Sequence, residues 1–463
     1  MKLYDFLWNV KPKAGALLVG VVFGFCLSCD NYVEVTMPNS QLTGSAVFED
    51  VATTNAAIGG LYAKMRTNGV LAGGTGMTYY LGLYADETDH YQVNVSPFYN
   101  NSLFAGDGGV TSLWNNSYRQ IYEANAIIEG ITNSVNMPQA NRNQFKGEAL
   151  FIRALLHFYL VNLYGDVPYI TTTDHVLNSQ VSRTPSALVY EKIAADLNEA
   201  STLLPENYIT AERVRPNRFA VRAVLARVYL YMGAYAEAAN EASAVINSPL
   251  YVWETDLNKV FLKASTTTIW QFMPNAAGNN TSEGSTYIFN AGPPSSVALK
   301  PSFVSSFEAD DQRKVKWVRA ISNGSNTWYH SYKYKQQTTT ASSMEYSVIL
   351  RLSEQYLIRA EARARQGELI NAKSDLNLIR NTAGLPNTVA VTAEEIIADI
   401  LNQRRFELFT EFGHRFFDLK RTNQLDAVLA GVKPGWNSTD RLWPLPELEL
   451  NANPNLNPQN PGY

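Results

Sequence analysis

The residue types that could break or make bonds are sparse in this chain and poorly spaced for it. Five histidines (His90, His157, His175, His330 and His414) are scattered over 463 residues, and no pair has a zinc-binding spacing. Glu411-Phe412-Gly413-His414 has the Glu-x-x-His spacing of a helical metal-ligand pair. It occurs once, and Gly413 weakens any helix carrying it, so a surface or capping role is expected. Asp86, Glu87, Asp89 and His90 cluster just before Tyr91. A hard cation needs several more oxygen ligands than these supply, and a solvated acidic loop is expected instead. The carboxylate pair of a glycosidase is defined by its separation, which a sequence does not give. No catalytic residue, metal ligand or cofactor is assigned, and the chain reads as a non-enzyme.

Binding chemistry is better represented. Tyr (26), Phe (20) and Trp (8) are abundant while charged residues make up only 17% of the chain, against about 25% in an average protein. Sugars present flat C–H faces beside hydroxyls, so aromatic plates flanked by amides and hydroxyls suit them. Two irregular regions offer that mixture. The first holds Tyr79, Tyr80, Tyr84, Tyr91, Phe98 and Tyr99 with Asn94, Asn100 and Asn101; the second holds Tyr287, Phe289, Trp328 and Tyr329 with Asn326. The candidate ligand contacts are Tyr91, Phe98, Tyr99, Tyr287, Trp328 and Tyr329, with Trp328 and Tyr99 foremost. Each must compete with a packing role, since large aromatics are usually mostly buried. Phe151, Phe158 and Tyr229 fall on helical faces and are assigned to the core.

Cys29 carries chemistry of another kind. Lys2, Lys11 and Lys13 precede an apolar stretch, Ala14 to Leu27, interrupted only by Gly15, Gly20 and Gly24; small Ser28 then precedes Cys29. That is the layout of an export signal over 1–28 that ends at a lipid-attachment cysteine. The apolar stretch is too short for a comfortable transmembrane helix, which needs about 20 residues. Cys26 is a poorer site because bulky Phe25 precedes it. Acylation of Cys29 would leave no thiol for a disulfide or a thiolate centre. With 38 basic and 42 acidic residues the net charge is −4, so the chain lacks a nucleic-acid footprint.

The elements that must position these residues are mostly helical. A tether and extended segment cover 29–44. Helical periodicity begins near Ser45 with Val47, Val51, Ala56, Ile58, Leu61 and Met65. Residues 69–111 lose it and read as long loops. Helices resume over about 112–132 and 139–164, the second apolar almost all round and therefore central and buried. Thr184 before Pro185 reads as an N-cap with proline at the first helical position. The order Ala226, Tyr229, Gly233, Tyr235, Ala238 has the spacing of a tetratricopeptide hairpin, and Ala360, Gly367, Leu369, Ala372 repeats its offsets. Residues 250–345 break the helical pattern, with Asn323-Gly324 marking a hairpin between Val315–Ile321 and Thr327–Tyr334. Thr392 and Glu395 form a capping box. The Pro- and Asn-rich tail from Trp443 is expected to lie extended on the surface. Residues 45–463 are read as one domain, its helix pairs mainly over 112–249 and 350–420 and its irregular ligand-face loops about 69–111 and 250–345.

Ordered motifs along the whole mature chain resemble the SusD/RagB-like outer-membrane lipoproteins. They begin with Cys29-Asp30-Asn31-Tyr32-Val33-Glu34, Pro38, Leu42-Thr43 and Phe48. The central helix Gly147-Glu148-Ala149-Leu150-Phe151-Ile152-Arg153-Ala154, running on to Leu163-Tyr164-Gly165-Asp166-Val167-Pro168, is the most recognisable stretch. Leu350-Arg351-Leu352, Leu357-Ile358-Arg359-Ala360-Glu361-Ala362 and Leu376-Asn377-Leu378-Ile379-Arg380 follow. Gln403-Arg404-Arg405-Phe406-Glu407-Leu408 leads to Arg415-Phe416-Phe417-Asp418-Leu419-Lys420-Arg421, and Trp443-Pro444-Leu445-Pro446 with Gln459-Asn460-Pro461-Gly462-Tyr463 closes the series. Arg404, Arg405 and Glu407 are read as structural ion pairs.

The resemblance implies a mainly α fold: tetratricopeptide-like helix pairs forming a superhelical scaffold, with a loop-rich face and small β-hairpin insertions. It further implies an outer-membrane lipoprotein facing the cell exterior. Such a protein captures oligosaccharide or polysaccharide and delivers it to a SusC-like TonB-dependent transporter, acting as a hinged lid. A peptide-binding lid of a peptide importer is the alternative, and a glycosidase on the same scaffold a third reading. The family has no fixed binding motif, so the resemblance transfers no individual ligand-binding residue.

Overall fold

The computed structural model describes residues 44–463. Cys29, the export signal and the tether up to residue 43 lie outside the described residues. Helix α1 (Val51–Thr67) starts where the Asp50 carboxylate accepts from the Ala52 and Thr53 amides, and it buries Ile58, Leu61 and Met65. Inside the stretch expected to be loop, Met77–Tyr84 forms a helix, α2. Its sequence is apolar on every side, so no periodic polar face marks it. Strand β1 (Thr88–His90) follows. Helix α3 (Gly108–Asn133) is capped by Asp107.

Helix α4 (Gln139–Tyr164) is the central element, and every residue from Gly147 to Tyr164 is buried. Its polar members are paired, as burial requires. Glu148 accepts from Arg215 at 2.5 Å and from Tyr62 at 2.6 Å, and Arg153 grips both oxygens of Asp196 at 2.7 Å. His157 donates to the Arg153 carbonyl and accepts from the Ile170 amide. Burial pushes its pKa down to about 3, so the ring is neutral. Helix α5 (Ser186–Leu203) starts one residue later than the Thr184-Pro185 pattern predicts, with Pro185 in the cap position. Thr184 instead bridges Val167, and the carboxylate of Asp166 caps the helix through the Ser186 amide at 2.7 Å.

Helices α6 (Arg218–Met232) and α7 (Tyr235–Ile246) form the first predicted hairpin. Helices α8 (Leu352–Arg365) and α9 (Leu369–Thr382) form the second. Gly233 and Gly367 turn them at φ of 76° and 81°, a conformation that costs side-chain-bearing residues. The hairpins pack together although more than a hundred residues separate them: Ala226, Leu230, Ala238 and Ala242 share one core cluster with Ile358 and Ala362. A buried bidentate pair locks them, with Arg227 Nε and Nη2 at 2.7 and 2.6 Å from Glu354. Helix α10 (Ala393–Glu407) carries the expected Thr392/Glu395 capping box, and α11 (His414–Arg421) follows it.

The region between the hairpins supplies the strands. β2 (Thr268–Phe272) pairs antiparallel with β6 (Ser347–Arg351). β3 (Val297–Leu299), β4 (Val318–Ser322) and β5 (Thr327–Ser331) join β1 in a four-stranded sheet of order β1-β3-β5-β4. β4 and β5 are the predicted hairpin, closing at Ser322 opposite Thr327.

The charged motif residues of the second half are mostly buried ion pairs. Arg404 holds Asp418 at 2.7 Å, and Arg421 spans Asp418 at 2.8 Å and Glu361 at 2.6 Å. Arg351 reaches Glu407 at 2.6 Å and Glu411 at 2.8 Å, and Lys333 also pairs with Glu411. Thus Arg404, Arg405 and Glu407 are structural pairs, as expected. Glu411 and His414 are buried rather than superficial, because α11 turns inward at Gly413, whose φ is 77°. The tail lies partly on the surface, with Leu448 70% exposed, but is anchored in the core. Trp443 is fully buried among Tyr84, Phe98 and Tyr164. The side-chain amide of Asn460 ties the tail down by donating to the Tyr164 and Trp443 carbonyls. The prolines limit the tail to short helical pieces, Glu447–Ala452 and Pro454–Leu456, and Asn and Gln side chains answer backbone groups beside them.

Candidate ligand-binding site

The first loop region and the stretch before β3 meet along the sheet. β1 pairs with β3, and the pairing continues as Tyr91 N–H donates to the Ser296 carbonyl at 2.8 Å. Gln92 adds a side-chain bond to the Ser296 hydroxyl. These contacts leave an open cleft of about 530 Å³. On one wall stand Tyr79 and Tyr80 of α2 with Asn94 and Ser96. On the other stand Ser285 and Thr286 of the short helix Ser282–Tyr287, then Ser295 and Ser296. Exposed Val95 forms an apolar lip.

The tyrosines are braced from behind. Tyr79 and Tyr80 meet edge to face at 5.4 Å, and Tyr80 lies 4.2 Å from Phe98. Phe98 in turn touches Trp443 at 5.2 Å. A plate held this way loses little rotamer freedom when a ligand lands on it. His90 fixes the loop by holding the Asn94 carbonyl at 2.7 Å. Among the described residues the lining contains aromatics, amides and hydroxyls but no carboxylate.

The six candidate contacts part company here. Phe98 is 4% exposed and Tyr287 2% exposed. Phe98 backs Tyr80, and Tyr287 donates to the Thr78 carbonyl at 3.0 Å. Both are therefore packing residues, corrected from the sequence reading. Tyr99 is half-buried, donating to Asp89 at 3.0 Å under the ammonium groups of Lys433 and Lys300 at 4.1 and 5.4 Å. Burial and the Asp89 charge push its pKa up to about 12. Trp328 lies near the Tyr91 phenol, whose pKa is raised chiefly by burial. The Trp328 ring rests on Gly292, where any Cβ would strike it. Tyr329 packs against the cluster built on Phe303 and Trp317. Of the flanking residues, Tyr84 and Asn101 are buried, and Asn101 donates to the Tyr84 carbonyl.

The acidic cluster is not a solvated loop. Asp86 is buried and held by Arg415 at 2.7 Å and Arg405 at 3.0 Å. Burial opposes its ionisation, but the two guanidinium groups keep its pKa below the usual value. For Glu87, burial and the Asp86 charge outweigh the more distant cations and push the pKa up to about 7. No group of three or more potential metal ligands occurs among the described residues. The sequence reading missed the serines and threonines of the second wall, which carry no spacing signal of their own.

A helical scaffold bearing an aromatic, amide-lined cleft has the chemistry to suit ligand capture. The comparisons with known proteins agree. A family model described as "Starch-binding associating with outer membrane" matches residues 34–230, and the SusD family model matches residues 313–463. The chain belongs to the SusD/RagB-like family. SusD-like protein P2 of Formosa agariphila is 29% identical, over 92% of this chain and 95% of that protein. A SusD superfamily structure from Bacteroides vulgatus superposes with a TM-score of 0.78 at 22% identity, covering 90% of this chain and 100% of that one. A laminarin-binding SusD-like protein superposes with a TM-score of 0.73 at 23% identity, covering 89% and 99%. The family is carbohydrate-binding and associated with the outer membrane.

Proposed function

We propose that this protein is a surface-exposed outer-membrane lipoprotein that binds oligosaccharide or polysaccharide and passes it to a SusC-like TonB-dependent transporter. The observation that carries the reading is the cleft of Tyr79, Tyr80, Asn94, Ser96, Thr286 and Ser296, whose ring, amide and hydroxyl chemistry matches a sugar's C–H faces and hydroxyls. The laminarin bound by a relative of the same fold supports a saccharide over a peptide. A cleft whose described lining holds no carboxylate supports a reading of capture rather than hydrolysis. Multiple acylation at Cys29 would supply the two or more hydrophobic signals that stable anchoring needs. The polar stretch after it would let the protein swing as a hinged lid over its transporter. Tyr91, Tyr99, Trp328 and Tyr329 would extend the contact surface beside the cleft.

Titration with a panel of oligosaccharides and with a mixed peptide pool tests the cargo. The expected result is saturable binding of at least one saccharide, no binding of peptides, and no cleavage products on long incubation. Turnover abolished by a single carboxylate substitution would sink the reading.

A further inference from the structure

A second cleft abuts the first. It encloses about 300 Å³ and is lined by Arg66, Phe272, Asn275, Asn280, Ser282 and Ser347, among others. Gly74 and Thr75 line both clefts. The short helix Ser282–Tyr287 also borders both, through Ser282 on one side and Ser285 and Thr286 on the other. Gly74 lies so close to this helix that a Cβ there would come 2.8 Å from the Thr286 hydroxyl. The two clefts thus share an edge at Gly74 and Thr75, and Thr75 is exposed.

The chemistry changes across the divide. Arg66 is half-buried, and among the described residues its side chain makes one hydrogen bond, to the Met273 carbonyl at 3.1 Å. Burial alone lowers its pKa, with no carboxylate offsetting it among the described residues. A guanidinium has five N–H donors, so most of these remain for a ligand. Neither cleft is lined by Asp or Glu among the described residues, although the chain holds 42 acidic residues. Glu283 lies behind the wall, accepting from Ser347 and Ser282. These hydroxyls occupy both of its oxygens, and burial raises its pKa. A half-buried guanidinium with spare donors and no carboxylate beside it among the described residues is a ready partner for an anionic group.

We infer that the second cleft continues the saccharide site and takes an anionic substituent, a carboxylate or a sulfate ester, of a sugar chain that crosses Gly74–Thr75. This inference rests on the saccharide reading above. Arg66 would bind the anion through paired N–H donors, a geometry that suits both groups, and the side-chain NH2 of Asn275, whose oxygen accepts from Asn279, would hold a neighbouring hydroxyl.

The test compares three hexasaccharides: an oligogalacturonate, a sulfated carrageenan fragment and neutral laminarihexaose. Each is titrated into the wild-type protein and into Arg66→Gln and Arg66→Lys variants whose melting temperatures are checked first. The expected result is that at least one anionic hexamer weakens about tenfold or more in Arg66→Gln and recovers in part in Arg66→Lys. The neutral hexamer should not respond to Arg66. The carboxylate and sulfate arms identify which anion is read. Anionic affinity indifferent to Arg66→Gln, with a saccharide still lost in Tyr79→Ala, would overturn the inference and leave the saccharide reading standing. If no hexamer binds at all, the saccharide reading fails first.

Discussion

Glu354→Gln should destabilise the fold by breaking the lock between the two helical hairpins. Arg227 and Glu354 are each 2% exposed in their side chains, and two bonds of 2.7 and 2.6 Å join them. Among the described residues, the guanidinium has one other partner, the Tyr159 hydroxyl at 3.4 Å. The substituted amide would offer one acceptor where two are needed and point N–H donors at the cation, leaving its charge uncompensated. Removing one partner of such a buried pair costs about 3–5 kcal/mol. At roughly 2.1 cal/mol/K per residue, a unit of about 420 residues unfolds with an entropy near 0.9 kcal/mol/K. The melting temperature should therefore fall by about 3–6 K in a calorimetric scan. The double variant Arg227→Met/Glu354→Met replaces the pair with packing side chains and should recover most of the loss. A single-variant cost below about 1 kcal/mol, the value of an exposed pair, would refute the lock.

Other perturbations follow from the same reasoning. Lys420 donates to the Asn162 carbonyl at 2.6 Å, and burial pushes its pKa down to about 7. Between that value and the ordinary lysine range near 10.5, the unfolded chain binds more protons than the folded one, so this group makes stability rise with pH across that window. Lys420→Met should flatten that rise in denaturant titrations run at several pH values; an unchanged slope would contradict the assignment. Trp328→Ala should weaken saccharide binding by about 1–3 kcal/mol if the ring is a central stacking surface, and unchanged affinity in a folded variant would remove it from the site. Cys29→Ala should move the protein from the membrane fraction to the soluble fraction without unfolding it, and retention on the membrane would show another anchor.

Helices with a clear apolar period were legible in the sequence, because burial of one face fixes both the period and the packing. The two glycine-turned hairpins are the clearest examples, whereas α4 was legible from its long, nearly continuous apolar run, and the stacking of Ala226 and Ala238 against Ile358 and Ala362 follows from small residues at matching offsets. Helix α2 was not legible, since eight almost uniformly apolar and aromatic residues are too few to show a helical period. The fate of individual aromatics was only half legible. Tyr79, Tyr80 and Asn94 do line the cleft, but Phe98 and Tyr287 have the same loop context and are buried by Trp443 and Thr78, partners far away in sequence. The acidic run at Asp86 misled for the same reason: its counter-charges, Arg405 and Arg415, lie more than 300 residues downstream.

The central claim is that a saccharide is held on the Tyr79–Tyr80 wall. Calorimetric titration of the best-binding oligosaccharide into wild-type protein and into the Tyr79→Ala and Tyr80→Ala variants tests it most directly. The account predicts saturable binding by the wild type and a loss of about 1–3 kcal/mol for each substitution, with the fold intact. Affinity unchanged in both variants would contradict it.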